Sequence, residues 1–362
     1  WSSDVCSSDL VAQAVKLISR TGSEKIIRFA YELALREGRR KVTTASKANI
    51  LKFTEGLFKQ VGEDLGREYS SLEANHLIID NVAHQMVKDP AQFDVIVATN
   101  LHGDIISDLA SGLIGGLGFA SSANYGDDVA IFEAVHGSAP KYAGKNVINP
   151  TALVLSASMM LRHIGELDLA DQVEDAVLAT LEEGKALPQD VVRQQGGDVE
   201  AAVSTTGFTD AVIENLGRTP SSVPSAASRP RPTAPNPHPR WPDGEARRAE
   251  IGPATVVGAD IFVETLMPPA EFGAKLAALA GPEFELRIVS ARGTVVWPKM
   301  SPAFDHPGFF RSRFVARDPS KAVTDEALAA LVARVAGVAP WFHIEKLRSW
   351  NGEEGFSRAQ GE

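Results

Sequence analysis

The densest group of chemically capable side chains lies in Asn100-Leu101-His102-Gly103-Asp104-Ile105-Ile106-Ser107-Asp108. Asp104 and Asp108 are four residues apart, so a helix beginning near Gly103 places both carboxylates on one face, where they can offer oxygen ligands to a divalent cation. The same spacing fits a plainer arrangement, with Asp104 capping the helix N-terminus and Asp108 in solvent. Asp80 closes the apolar run Leu77-Ile78-Ile79 at a strand-to-helix junction, where a carboxylate is a natural N-cap. Lys47 and Asn49, in Thr43-Thr44-Ala45-Ser46-Lys47-Ala48-Asn49, follow a short strand and precede a helix. A lysine there is either a solvated turn residue or, beside a metal-bound hydroxyl, a proton relay or carboxylate anchor.

The second group is a loop rich in Gly, Pro and Lys, His136-Gly137-Ser138-Ala139-Pro140-Lys141-Tyr142-Ala143-Gly144-Lys145-Asn146-Val147-Ile148-Asn149-Pro150, which leads into a helix. Its backbone amides, its lysines and the helix N-terminus make it a candidate phosphate cradle, and equally an ordered surface loop. Gly115, Gly116 and Gly118 follow a helix rather than a strand, and the GxGxxG pattern fails at Ser121, so a Rossmann fingerprint is absent. No Ser-His-Asp order or zinc-ligand spacing stands out, and His84, His102 and His163 read as structural or surface residues.

These groups need elements to position them. From Val11 to about Leu216 helical and strand patterns alternate, which predicts an α/β architecture. Ile26, Phe29, Ala30, Leu33 and Ala34 mark one face of a helix ended by Gly38, and Lys41 to Ala45 reads as a strand. A helix is expected from about Ile50 to Leu65, strands at His76 to Ile79 and Phe93 to Thr99, and helices at Thr151 to Ile164 and Asp168 to Glu183. The strand ending at Thr99 delivers Asn100 to Asp104 to a cleft, the usual place for chemistry in open α/β sheets. Between Arg218 and Pro253, Pro, Ser, Ala and Arg dominate without any apolar period, the composition of a linker. Beyond it, segments at Val256 to Thr265, Pro269 to Leu279, Phe284 to Ser290, Thr294 to Trp297, Gly308 to Ala316, Asp325 to Val335 and Trp341 to Leu347 follow the order βαβββαβ. That order suggests a small ferredoxin-like or ACT-like α+β sandwich. The expected domains are an α/β domain over 11–217, a linker over 218–253 and an α+β domain over 254–362.

With 362 residues, 44% hydrophobic and 23% charged, the chain is long enough for about two domains with real cores. Its 36 Lys and Arg against 46 Asp and Glu give a net charge of -10, which argues against a broad grip on nucleic acid or anionic lipid. One cysteine, Cys6, forms neither an internal disulfide nor a thiolate cluster, and no apolar run has the length of a membrane span. The expectation is a soluble cytoplasmic protein. Residues 1–10 are rich in Ser and Asp, lack the features of a secretory signal and run abruptly into a helical pattern, so they read as a foreign or artefactual segment.

Taken together, Ser46-Lys47-Ala48-Asn49-Ile50-Leu51-Lys52-Phe53-Thr54-Glu55-Gly56, the segment around Asp80, Asn100 to Asp108, Gly115 to Gly126 and His136 to Pro150 resemble the isocitrate and 3-isopropylmalate dehydrogenases, a family of metal-dependent β-decarboxylating dehydrogenases. The order and spacing hold over nearly all of Val11 to Leu216. Val256 to Glu362 resembles the extra C-terminal domain of a long bacterial subgroup of NADP-dependent isocitrate dehydrogenases.

The resemblance implies an α/β catalytic fold of the family's own kind, not a Rossmann fold, in a homodimer with active sites shared between subunits. It implies Mg2+ or Mn2+ on Asp104 and Asp108, with Asp80 and Lys47 supplied by the partner. Catalytic roles fall on Lys47, Asp80 and Asp108, and substrate contacts on Lys47 and Asn49. NADP is expected on His136, Gly137, Ser138, Ala139, Lys141, Tyr142 and Asn149. Lys141 and Tyr142 stand where NAD-using relatives usually carry an acidic and an aliphatic residue. Asp89 stands where some NADP-using relatives place an arginine reaching across the dimer.

The implied reaction is oxidative decarboxylation of isocitrate to 2-oxoglutarate. The alternatives are isopropylmalate or another 2-hydroxy acid as substrate, or a non-catalytic dimerising or ligand-binding fragment. In the family a region holding a serine, arginines and a tyrosine that handle substrate precedes the position of Val11. The resemblance therefore implies a truncated chain that lacks part of the active site.

Overall fold

The computed structural model describes residues 4–7, 12–126, 128–231, 252–299, 308–359 and 362. Contacts divide the chain into one unit of Ile18–Leu51 with Glu55–Pro242 and another of Trp1–Leu17, Lys52–Thr54 and Asp243–Glu362. Among the described residues no helix is long and apolar enough to cross a membrane.

The centre of the first unit is a parallel sheet of β3 (Lys41–Ser46), β4 (Glu73–Ile78) and β5 (Val95–Ala98) in the order β4-β3-β5. Register runs from Lys41↔Glu73 to Ser46↔Ile78 on one side and from Val42↔Val95 to Ala45↔Ala98 on the other. β3 is buried on both faces, as a central parallel strand must be. One face meets α1 (Arg20–Arg36) and α2 (Thr54–Glu68) through Ile27, Tyr31, Ala34, Val42, Phe58, Val61 and Val97. The other meets α3 (Ile79–Lys88) and α4 (Asn100–Leu113) through Ala45, Val82, Met86 and Ile106. α2 lies so close to β3 that a Cβ at Gly62 would stand 2.6 Å from Thr44 Oγ1. α1 starts at a Ser19 cap that accepts from Gly22 N, and it stops just before Gly38, whose φ of 66° suits a glycine.

Several boundaries differ from the expected ones. The segment expected to be helical directly after residue 10 holds the strand Ala12–Ala14, and α1 starts only at Arg20 after its Ser19 cap; β4 starts at Glu73 rather than His76, and Ile79 belongs to α3. α2 begins at Thr54 rather than Ile50, because the backbone amides of Ile50 and Leu51 turn back onto Lys47 O at 3.1 and 3.0 Å. α4 begins at Asn100 rather than Gly103, directly after β5, with Thr99 as its N-cap residue.

The antiparallel hairpin of β6 (Ser121–Tyr125) and β7 (Ala130–Ala134) packs on α5 (Thr151–His163), where Ser156 Oγ donates to Glu133 O at 2.8 Å. α6 (Leu167–Glu183) and α8 (Thr205–Glu214) close a further core around Ala176, Val177, Phe208 and Val212. Between them lies the short α7 (Gln189–Gln194).

The described start of the Pro-rich segment, up to Arg231, is strapped to the acidic side of α6. Ser221 and Ser222 amides donate to Glu182, and Ser225 Oγ and Ala226 N donate to Asp175 at 2.5 and 2.7 Å. Arg218 pairs with Glu183, Arg229 with Glu174 at 2.6 Å, and Arg231 with both Asp168 and Asp171 at 2.8 Å. The Ser221 and Ser222 donors hold the Glu182 carboxyl down to about 2. Residues 232–251 lie outside the described residues, as do residue 11 and, in the segment expected to be foreign, residues 1–3 and 8–10. β1 (Asp4–Ser7) pairs antiparallel with β2 (Ala12–Ala14).

In the C-terminal region, β8 (Thr255–Glu264), β9 (Phe284–Ala291), β10 (Thr294–Trp297), β11 (Phe309–Ala316), β12 (Trp341–Trp350) and β13 (Glu353–Glu354) form one antiparallel sheet ordered β10-β9-β11-β8-β12-β13. The helices Pro269–Leu279 and Asp325–Ala336 contribute Phe272, Leu276, Leu331 and Val335 to a core with Ile261, Phe284, Phe310 and Phe314. The expected order of strands and helices is reproduced, with β13 added.

Asp260 of β8 and Arg313 of β11, directly opposite in register, form a buried ion pair. Arg313 and Asp260 are 1% and 2% exposed, and the guanidinium donates to both carboxylate oxygens at 2.9 and 2.8 Å. Glu362 accepts from the same guanidinium, and the Phe356 ring lies 4.8 Å from it. Replacing Asp260 removes the bidentate carboxylate from the buried Arg313 guanidinium and leaves it Glu362 alone. Asp260→Asn is therefore expected to cost about 3 to 5 kcal/mol, read as a lower urea midpoint with an unchanged slope.

Candidate active site

Parallel strands end at the same edge of a sheet, so β3, β4 and β5 launch their next segments side by side. β3 is followed by the turn carrying Lys47 and the exposed Asn49, β4 by the first turn of α3 with Asp80, and β5 by α4 with Asp104 and Asp108. Lys47 Nζ donates to Asp80 Oδ1 at 2.5 Å, and this ammonium holds the Asp80 carboxyl below the ordinary carboxylate range. Asp80 does not take the position of an N-cap. That position belongs to Ile78, which has no capping side chain, and Asp80 sits inside the helix in its first turn.

Asp104 and Asp108 are exposed and one turn apart on α4. Because the helix starts at Asn100, Asp104 falls in its second turn and does not cap it. Among the described residues no three His, Cys, Asp or Glu side chains converge to hold a metal, so Asp80 does not join Asp104 and Asp108 within one chain.

Beneath these residues lies the fully buried Glu55. Its Oε2 accepts from the Lys47 backbone amide at 3.1 Å, and its Oε1 accepts from Thr99 Oγ1 at 3.4 Å.

The glycine-rich loop borders a cavity of about 380 Å³. His136, Gly137, Ala139, Tyr142 and Asn149 line it, whereas Ser138 and Lys141 are exposed on the loop and are not among its lining residues. Asn149 is buried and organises the floor. Its Oδ1 accepts from Thr151 N and Oγ1 at 3.0 and 2.6 Å, and its Nδ2 donates to Asp190 Oδ2 at 3.0 Å. Gly118 belongs to the same floor, since a Cβ there would stand 2.6 Å from Asp190 Oδ2 and 3.0 Å from Asn149 Nδ2.

Gln189, Asp190 and Arg193, on α7, also belong to the lining and were not singled out by sequence reasoning. α7 has six residues, too few for a periodic signal, and no motif marks them.

The sequence profile of the isocitrate/isopropylmalate dehydrogenase family matches residues 3–212. The chain belongs to the isocitrate/isopropylmalate dehydrogenase family. A second profile, for the C-terminal domain of bacterial isocitrate dehydrogenases, matches residues 254–362.

Within the family, the NADP isocitrate dehydrogenase of Thermus thermophilus is 52% identical over 355 residues, which cover 97% of this chain and 69% of that protein. The 3-isopropylmalate dehydrogenase of Archaeoglobus fulgidus is also 52% identical, over 178 residues that cover 49% of this chain and 55% of that protein. A crystal structure of a Thermus thermophilus protein superposes with a TM-score of 0.83 at 48% identity, covering 98% of this chain and 70% of that one. The isocitrate dehydrogenase of Methylococcus capsulatus gives 0.54 at 45% identity over 57% of this chain and 59% of that one. The fold is therefore the family's α/β catalytic fold with an antiparallel C-terminal sheet domain.

The Lys47 to Asp80 contact yields a pH prediction. A carboxyl whose pKa is lowered on folding adds stability above its unfolded value and loses it as pH falls through the folded value. Lys47→Met should raise the Asp80 carboxyl toward the ordinary range, leaving only the lowering by its own backbone hydrogen bond, and reduce its share of the acid limb. Carboxyl carbon NMR titration of Asp80 in both proteins checks the shift.

Proposed function

We propose that the protein catalyses NADP-dependent oxidative decarboxylation of isocitrate to 2-oxoglutarate and CO2, with Mg2+ or Mn2+. The observation that carries this reading is the continuity of the match to the Thermus thermophilus NADP isocitrate dehydrogenase across 97% of the chain, C-terminal domain included. The isopropylmalate dehydrogenase match covers only 49% of the chain, which favours isocitrate as the substrate.

The donor set fits a hard divalent cation: Asp104 and Asp108 supply exposed carboxylate oxygens at i,i+4, with no soft ligand beside them. The third carboxylate is read as Asp80 from a partner subunit, in a homodimer with shared active sites. This agrees with Asp80 standing apart from the other two within one chain. When bound, the cation supplies Lewis-acid polarisation of the substrate oxygens and offsets the negative charge left when CO2 departs. Lys47, with Asp80 as its hydrogen-bonded neighbour, relays the hydroxyl proton and anchors a substrate carboxylate, and Asn49 contacts substrate from the same turn.

The cavity under the glycine-rich loop fits a dinucleotide. His136, Gly137, Ala139 and Asn149 hold the adenosine end, Ser138 and Lys141 contribute from the exposed loop, and Tyr142 contributes from the lining. Arg193 adds a guanidinium to the lining. The C-terminal domain is read as ferredoxin-like or ACT-like, supported by the strand order β12-β8-β11-β9 and two helices. The location is read as cytoplasmic.

Steady-state assays with isocitrate, NADP and Mn2+ test this function directly. Asp104→Asn is expected to abolish nearly all turnover while the unfolding transition stays cooperative; turnover unchanged in this variant would remove the metal assignment. Lys141→Asp combined with Tyr142→Ile is expected to shift the NADP to NAD ratio of kcat/KM toward NAD by about ten- to a hundredfold, the worth of a charge-assisted contact to the 2′-phosphate.

A further inference from the structure

Glu55 is 0% exposed, yet it carries a polar carboxyl group and belongs to none of the groups given a chemical role above. A buried carboxylate is retained at a cost unless its oxygens are satisfied, and here each oxygen is satisfied by a different element. Oε2 accepts from the backbone amide of Lys47 at 3.1 Å, in the turn after β3. Oε1 accepts from Thr99 Oγ1 at 3.4 Å, at the start of α4. His102 Nδ1, in the first turn of α4, lies 3.5 Å from Oε2 and 3.2 Å from Thr99 Oγ1.

Thr99 is the N-cap residue of α4, but its side chain makes no capping bond. Its hydroxyl points instead to Glu55 and His102. A threonine at this position ordinarily satisfies its own helix, so its use here ties α4 to α2 and, through Glu55, to the Lys47 turn.

We propose that Glu55 is a positioning residue that holds the Lys47 turn and the N-terminal end of α4 in one frame. The Lys47 ammonium, already bound to Asp80, thereby keeps a fixed disposition to the helix that carries Asp104 and Asp108. In the shared-site dimer proposed above, Lys47 and Asp80 serve one metal site and Asp104 and Asp108 the other. Glu55 then joins the two half-sites that one protomer carries. This inference rests on that functional reading for the roles of Lys47 and the α4 carboxylates, but not for the geometry of Glu55.

The test uses Glu55→Gln, which keeps the volume but replaces one acceptor oxygen with a donor, and Glu55→Asp, which keeps the carboxyl group on a shorter arm. In the protein as it stands, Mn2+ binding is read by EPR and NADPH binding by fluorescence. Glu55→Gln is expected to weaken Mn2+ at least tenfold and leave NADPH within twofold, because the cofactor cavity is built on other elements. Amide hydrogen exchange at Lys47 is expected to accelerate at least tenfold, and Glu55→Asp to recover part of both losses.

If Glu55→Gln fails to fold, Thr99→Val removes the α4 side of the link alone and is expected to weaken Mn2+ about threefold. Unchanged Mn2+ affinity in a folded Glu55→Gln, or in Thr99→Val where Glu55→Gln does not fold, overturns the proposal. Asp104→Asn separates the two levels of inference. If it abolishes Mn2+ binding while Glu55→Gln leaves it intact, Glu55 is not a positioning residue. If Asp104→Asn itself leaves Mn2+ binding intact, the metal assignment is what fails, and Lys47 exchange alone decides on Glu55.

Discussion

The parallel pairing of β3 with β4 and β5 is the constraint on which the candidate active site depends. Parallel strands in register bring their carboxyl ends to one edge, so three segments far apart in sequence leave the sheet as neighbours. The pairs Ser46↔Ile78 and Ala45↔Ala98 bring the Lys47 turn, Asp80 and the start of α4 together without any long loop. A slip of one residue in β3 would point Val42 and Thr44 away from α1 and α2, so burial of both faces enforces the same register that positions the chemistry.

Much of this was legible in the residues. Strand β3 and the helices at Thr151 and Leu167 stand within a residue or two of their expected bounds, because their apolar residues follow one period and Gly38 marks a stop. The starts of α2 and α4 were not legible. Ile50 and Leu51 have helical propensity and apolar character, yet their amides are committed to Lys47 O, a contact no periodicity encodes. The helix expected to begin near Gly103 runs through that glycine from Asn100, although glycine is a poor interior helix residue.

The cofactor cavity divides in the same way. The loop from His136 to Asn149 announces itself by composition, whereas Asp190 and Arg193 reach the cavity from a six-residue helix that only the tertiary fold brings there. The i,i+4 spacing of Asp104 and Asp108 was correct as a statement about one helix face. It could not say whether a third carboxylate from the same chain completes the set, because that depends on where α3 lies relative to α4.

The strap from Arg218 to Arg231 reads in sequence as a featureless linker because polar side chains and backbone amides make its bonds, leaving no apolar pattern to detect. α6 carries Asp168, Asp171, Glu174, Asp175, Glu182 and Glu183, and neither Lys nor Arg. Alone, such a helix would depend on dissolved salt to quiet its self-repulsion. Here Arg218, Arg229 and Arg231 are covalently attached counter-ions, so part of the neutralising charge stays beside α6 even in dilute buffer.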